Sequence, residues 1–361
     1  MRVLVCPADR GGCGYYRLIW PALANNVRVL EEGEEFAAGM FAVDLDDVEH
    51  CVGIATLPEA DVVVLQRAAQ RTQAEMIPHL QAAGIAVVID VDDDFSAIPP
   101  DNVAHQHYDP ERSPHRNHEH LEAACDLADL VTCATPALAH RYAPHGRFAV
   151  LPNCVPERYL QERQVRRLAG RAWDSTVKLK VGWTGSLDTH PGDLEVTQGA
   201  VGRVLKEYES VSYFRTIGTG KGVREALKLH RGDNASGWLP IDLYPRALVD
   251  LDIGIVPLRR CAFNRAKSWL KGLEMAALGV PFVASHTPEY ERLAKLGAGR
   301  LAARPQDWER ELRALLQSPA LRDDVAARGM QVAREFTIEK NSWRWLDAWS
   351  RAHAIRRTAA A

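Results

Sequence analysis

The sequence predicts an α/β protein made of two doubly wound domains, each an open parallel sheet wrapped by helices. Three observations lead there. Short apolar runs recur along the chain, separated by segments of helical periodicity, which is the pattern of repeated βαβ units. Glycine-bearing turns follow several of these runs, at 11–14, 185–186 and 218–222, where a strand hands over to a helix. The 361 residues also suit two domains at roughly 100–200 residues each.

Composition narrows the class. The chain is 47% hydrophobic and 25% charged, as in ordinary globular proteins. A formal net charge of −3 supplies no general attraction to nucleic acid, although a local basic groove remains compatible with it. Seven cysteines are scattered without any C-x-x-C, which predicts reduced thiols and a cytoplasmic location. No apolar run approaches the roughly 20 residues that span a bilayer. The first eight residues read as a strand rather than a leader.

In chain order, RVLVCP at 2–7 is the first strand, and DRGGCG at 9–14 is the turn into a helix over 15–25. That turn is either a tight βα connection or a place where backbone approaches a ligand. It lacks the G-x-G-x-x-G dinucleotide fingerprint. Residues 27–60 are acidic, with a strand near 41–43. DVVVLQ at 61–66 is a strand, 73–83 a helix ended by Gly84, and IAVVIDV at 85–91 the next strand.

That strand runs into Asp92, Asp93 and Asp94. Counting Asp90, four carboxylates crowd its carboxyl end. Like charges resist joint ionisation, which predicts a raised pKa for at least one of them. Such a group serves as base toward a hydroxyl or as a cation ligand. Helix capping and solvated charge is the other reading. Asp92 and Asp93 are the candidate catalytic carboxylates.

His105, His107, His115, His118 and His120 follow in a stretch rich in Pro, Asp and Asn. They read as a mobile acceptor loop, with zinc ligation as the second reading. His105 is the candidate general base, since imidazole titrates near neutral pH. A helix over 117–127 and a strand over 130–134 come next. A helix over 135–142 has Thr135 as N-cap and Pro136 at its first position. A strand over 148–152 completes a first domain over 1–160, and the polar, Arg-rich 162–172 reads as a hinge.

The second domain, over 173–336, opens with VKLKVGWT at 177–184. Gly182, Gly185 and Ser186 either allow backbone N–H groups to cradle an anion before a helix from 194, or simply make a turn. VSYFRTIG at 211–218 is a strand. The following GTGKG lacks P-loop spacing, which argues against an ATPase. Tyr244 reads as a packing residue. Helices are expected after Thr287-Pro288 and over 305–335. Residues 337–361 form a last helix carrying Trp343, Trp345 and Trp349, read as a packed amphipathic face or as a base-stacking platform.

The most informative stretch is 250–285, which reads strand, basic loop, helix, glycine turn, strand. The apolar 252–258 fits a buried parallel strand. Arg259, Arg260, Arg265 and Lys267 crowd the loop. Leu270, Leu273, Ala277 and Leu278 carry the helix, and Gly279 stands where a left-handed C-cap residue is expected. Cations and a helix N-terminus at a strand's carboxyl end favour a phosphate or diphosphate. Glu274, seven residues after Lys267, is expected on the same helix face, where it meets ribose hydroxyls. A surface basic loop with a solvated Glu is the alternative.

These residues carry a resemblance. KSWLKGLEMAALGVPFVAS at 267–285 resembles the donor segment of GT-B glycosyltransferases, above all the retaining group with the E-x7-E motif. Glu274 matches the second glutamate, and Ala266 stands where the first is expected. The GW-x-GS at 182–186 with its following His resembles the family's donor loop, but lacks the Arg and Lys that often follow it. The whole chain resembles glycosyltransferases of actinobacteria and their phages.

The resemblance implies two Rossmann-like domains facing across a cleft, with the last helix crossing back to the first domain. It implies transfer of a sugar from a nucleotide-diphosphate sugar to an acceptor hydroxyl, with retention and without a bound metal. Gly185, Ser186, Arg259, Arg265, Lys267, Ser268 and Glu274 would hold the donor. Gly12, Gly14, Tyr15 and Arg17 would lie near acceptor or donor phosphate. The acceptor is a protein, a glycan or modified DNA, and the charge of −3 argues against DNA. A sugar-nucleotide epimerase and a non-catalytic nucleotide-sugar-binding protein are the alternatives on the same scaffold.

Overall fold

The computed structural model describes residues 1–30, 59–108, 113, 115–162, 178–232 and 234–360. The strand expected near 41–43 lies outside them, as does all but Glu162 of the expected hinge. The chain forms two compact units. The first comprises Met1–Pro100, Ala104–Asn153 and Ile338–Ala361; the second comprises Asp101–Val103 and Cys154–Thr337.

The first unit is built on six parallel strands: β1 (Val3–Cys6), β2 (Arg28–Val29), β3 (Val62–Gln66), β4 (Ala86–Val91), β5 (Leu130–Cys133) and β6 (Phe148–Val150). Their order is β2-β1-β3-β4-β5-β6. Val, Ile and Leu fill β3 and β4, every residue of which is buried, as a sheet covered on both faces requires. The helix Asn117–Leu127 has the bounds read from the sequence, and the Thr135 hydroxyl caps the helix Pro136–Tyr142 by accepting from the Leu138 N–H.

Two features fasten this sheet. The helix entered from the first glycine turn contains a π-helical turn, Tyr15–Ile19, closed by the Trp20 N–H donating to the Tyr15 carbonyl. Arg17 lies within it. The last helix, Trp343–Ala360, packs on β3, β4 and β5. Trp345 and Trp349 are buried there, and the Trp345 indole N–H donates to the Arg17 carbonyl at 2.7 Å. The tryptophans are therefore packing residues, apart from Trp343, which is 59% exposed.

The second unit carries β7 (Leu179–Gly185), β8 (Ser212–Gly218), β9 (Asn234–Ala235), β10 (Ile253–Val256), β11 (Phe282–Ser285) and β12 (Arg300–Ala302). All pair in parallel, in the order β12-β11-β10-β7-β8-β9. Trp183, Leu194, Val201, Ile255, Val283 and Trp308 are among the residues of its core. The helix Leu270–Ala277 ends at Gly279, whose φ of +62° is left-handed, and the Val280 N–H closes the turn onto the Met275 carbonyl.

Strand order locates the ligand sites. Each sheet grows outward in both directions from a pair of central strands, β1 and β3 in the first unit, β7 and β10 in the second. The loops leaving such a pair diverge to opposite faces and open a crevice at the strands' carboxyl ends, where open α/β sheets bind ligands. Among the described residues no helix is long and apolar enough to cross a membrane.

Candidate functional site

In the second unit the crevice between β7 and β10 is walled by the loop 186–193 and by 257–271. Lys271 enters it from the first turn of the helix Leu270–Ala277. Its ammonium donates to the Thr184 carbonyl at 3.1 Å and to His190 Nε2 at 3.1 Å, and lies 5.6 Å from the centre of the Trp183 ring. Gly185, at φ +143°, keeps this space open: a Cβ there would stand 3.2 Å from Lys271 Nζ and 3.0 Å from the Trp183 ring.

His190 is the second member of a chain of contacts. An ammonium only donates, so His190 Nε2 accepts, and the neutral ring then carries its proton on Nδ1. Nδ1 meets Asp193 Oδ2 at 3.0 Å. Asp193 Oδ1 takes the Arg259 backbone N–H at 2.8 Å and the Asn264 amide at 2.7 Å. Burial, then the charge of Lys271, pushes the imidazole down to about 4, with Lys267 adding to the effect against the pull of Asp193. His190 is thus neutral at physiological pH.

On the same helix, one turn beyond Lys271, Glu274 is 4% exposed and accepts from the Tyr244 hydroxyl at 3.1 Å. That hydroxyl lies 3.2 Å from Thr184 Oγ1. Burial, then the Glu274 charge, pushes the Tyr244 phenol well above its ordinary value. Tyr244 therefore joins the carboxylate to the end of β7, beyond the packing role read from the sequence.

The expected donor cations are distributed differently. Lys267 lies before the helix, in an extended conformation, so it does not share a helical face with Glu274; Lys271 takes that place. The Lys267 ammonium sits 4.4 Å from the Phe263 ring centre. The basic loop itself folds into a short helix, Ala262–Ala266, which leaves Arg265 exposed. Arg259 is held by both carboxylate oxygens of Asp101, at 2.6 and 2.8 Å. Ser186 is buried, and its hydroxyl lies 3.3 Å from both the carboxylate and the N–H of Asp188. Ser268 Oγ lies 3.5 Å from the Leu270 N–H at the helix start.

In the first unit the crevice between β1 and β3 holds a second charged cluster. Arg67, the residue after β3, adopts φ +52°, a strained conformation for a non-glycine. Its guanidinium grips Asp92 at 2.5 and 2.7 Å and reaches Asp9 at 3.2 Å. Asp9 Oδ1 in turn accepts from the N–H groups of Gly11 and Gly14. A Cβ on Gly14 would meet the Asp9 carbonyl at 1.8 Å, so close backbone approach demands glycine there. Gly14 directs its N–H to Asp9.

The raised pKa expected in the aspartate cluster does not occur at Asp92. Burial opposes its ionisation, but Arg67 outweighs burial and holds the carboxyl down at about 2. Asp90 is fully buried. It binds Arg17 at 2.8 and 3.1 Å and the Thr132 hydroxyl at 2.6 Å. Arg17 is 1% exposed and also donates to the Leu151 carbonyl and to Asn153. The arginine expected near phosphate is therefore an internal clamp. Asp93 accepts the Phe95 N–H at its backbone carbonyl, and Asp94 accepts from the Ser96 hydroxyl. Asp90, Asp92 and Asp94 thus each engage a different side chain: Arg17, Arg67 and Ser96.

His105 begins a short helix, His105–Tyr108, and its Nδ1 bonds the Ile98 carbonyl at 2.8 Å, which requires a proton on Nδ1. His118 is a buried member of the helix Asn117–Leu127, 3.3 Å from Glu122. Among the described residues no three His, Cys, Asp or Glu side chains gather to hold a metal ion. Arg67, Asp193 and Lys271 were missed in the sequence. Lys271 alone left a signal, as the second lysine of KS-x-x-K one turn before Glu274.

Residues 203–347 match the family model described as glycosyl transferase-like. No curated protein matches the chain by sequence. Solved structures match it along nearly its whole length. HepE from Anabaena, in complex with UDP and glucose, is 15% identical, with 97% of this chain and 99% of that one covered and a TM-score of 0.63. The fold is GT-B. Sucrose-phosphate synthase from Thermosynechococcus elongatus is similar at 13% identity, 98% and 100% coverage and a TM-score of 0.64. WaaG, a glycosyltransferase involved in lipopolysaccharide biosynthesis, is similar at 14% identity, 96% and 99% coverage and a TM-score of 0.63. The matched stretch 203–347 contains Tyr244, Lys271 and Glu274.

Proposed function

We propose that the protein transfers a sugar from a nucleotide-diphosphate sugar, with UDP-glucose the first donor to test, to an acceptor hydroxyl with retention of anomeric configuration. The observation that carries this reading is the Lys271 ammonium at the end of β7, on the helix that also bears Glu274. A diphosphate at this crevice meets a full positive charge and the N-terminus of an eight-residue helix together. Glu274 and Tyr244 suit ribose hydroxyls, and Lys267 adds charge.

In the transfer, the bond from the anomeric carbon to the β-phosphate oxygen breaks and the acceptor oxygen bonds the same carbon. The acceptor proton leaves with the departing diphosphate. Lys271 stabilises the charge that gathers on that diphosphate, where electrostatic preorganisation has most effect. Asp92, held ionised by Arg67, accepts a hydrogen bond from an acceptor hydroxyl rather than its proton. Asp93 and His105 are further acceptor-side candidates. Retention is supported by the resemblance of Glu274 to the second glutamate of E-x7-E; Ala266 in place of the first departs from that motif.

The test is calorimetry with UDP and UDP-glucose, together with assay of UDP release. The expected result is binding by the wild type that Lys271→Ala weakens by about tenfold or more, the loss of one charge-assisted contact. Wild-type protein that neither binds UDP-glucose nor releases UDP refutes the reading. Conversion of the donor without release of UDP would make the protein an epimerase.

A further inference from the structure

We infer that His190 and Asp193 form a positioning pair that holds the Lys271 ammonium in the β7–β10 crevice, aimed at the leaving diphosphate. This rests on the donor reading above and adds to it two residues that do not themselves touch the diphosphate. Left alone, a lysine side chain is a flexible four-carbon arm with many rotamers. Here the Thr184 carbonyl and His190 Nε2 fix two of its three donor directions.

The imidazole performs this only in one protonation state and one tautomer. An imidazolium, or a ring protonated on Nε2, would turn an N–H toward the ammonium and repel it. Asp193 enforces the required form by accepting the Nδ1 proton. Asp193 is itself locked, since the Arg259 N–H and the Asn264 amide occupy its other oxygen and it is 2% exposed. The charged groups facing His190 are Asp193 on its own loop and Lys271 and Lys267 from the 257–271 wall. The burial and cationic surroundings that keep the ring neutral serve the same end.

Three variants separate positioning from mere packing, each checked for folding by its Tm and circular dichroism. His190→Gln keeps an acceptor near the Nε2 position and should retain turnover within about threefold. His190→Phe removes the acceptor and should lower kcat for UDP release by about 10- to 100-fold, the usual loss when a group orienting a functional residue is removed. Asp193→Asn is nearly isosteric but presents an N–H to Nδ1. It should flip the tautomer and lower kcat as much as His190→Phe, with little change in KM. Nitrogen-15 NMR of histidine-labelled protein should show the Nδ1–H form in the wild type and the Nε2–H form in Asp193→Asn.

Folded His190→Phe with wild-type kcat, or an Nε2–H ring in the wild type, overturns the inference while leaving the donor reading standing. Failure of the wild type to bind UDP-glucose overturns the donor reading and this role with it.

Discussion

The Tyr244 hydroxyl donates to the Glu274 carboxylate at 3.1 Å and lies 3.2 Å from the Thr184 hydroxyl. This contact joins three elements: the helix Tyr244–Leu248, the end of β7 and the helix Leu270–Ala277. A buried carboxylate that loses a donor bears a desolvation penalty. Tyr244→Phe should therefore destabilise the protein by about 1–3 kcal/mol. It should also weaken UDP-glucose binding by altering the setting of Glu274. Urea denaturation and calorimetry read the two effects, and an unchanged denaturation midpoint would refute the structural part.

His190 predicts an acid-sensitive stability. Its folded-state pKa is about 4, against an ordinary value of 6.5. Between these values the unfolded chain binds more protons than the folded one, so stability rises with pH there. The contribution is fully present above about pH 6.5 and is lost as pH falls toward 4, with a size on the order of 3 kcal/mol. His190→Gln should flatten this part of the pH–stability curve. A curve of the same slope in the variant would assign the titration elsewhere.

Asp92 acts over a lower window. Its carboxyl is held at about 2 rather than the ordinary 3.8, so its stabilising contribution is present above about pH 4 and is lost as pH falls toward 2. Asp92→Asn leaves the Arg67 guanidinium, largely shielded from solvent, without its main counter-charge. The cost should be about 3 kcal/mol. An Asp92→Asn protein of wild-type stability would show the pair to be dispensable.

Asp101 holds Arg259 by a two-point ion pair in which the side chains are 53% and 26% exposed. Exposed pairs are worth little, so Asp101→Ala should leave Tm nearly unchanged. Under the proposed function it also frees a guanidinium beside the donor crevice. UDP should then bind up to about fivefold more tightly, the equivalent of the ~1 kcal/mol such a pair is worth at most. Weaker binding would mean that Asp101 orders the loop rather than occupying the arginine.

The regular elements were legible because strand and helix periods are local. The apolar runs at 61–66 and 85–91 became β3 and β4, and Gly279 took the left-handed conformation that its place after the helix implied. The basic loop was less legible. Its charges read as one phosphate-binding group, yet the short helix Ala262–Ala266 turned Arg265 outward, and a distant carboxylate took Arg259. The aspartate run misled for the same reason. Carboxylates close in sequence meet different side chains in the fold, Asp90 meeting Arg17, Asp92 meeting Arg67 and Asp94 meeting Ser96.

The sequence by itself determined the α/β architecture, the parallel sheets, the glycine turns and the stretch 250–285 as the place to look. Those follow from side-chain period, β-branching and backbone freedom, which act over a few residues. Only the tertiary structure decided which charges meet. Lys271 and His190 are 81 residues apart, and Arg17 and Asp90 are 73 apart. Arg67 and Asp92 come from successive strands. Strand order brings these groups together, and Coulomb and hydrogen-bond energies depend on a few ångströms of separation, which no local pattern encodes.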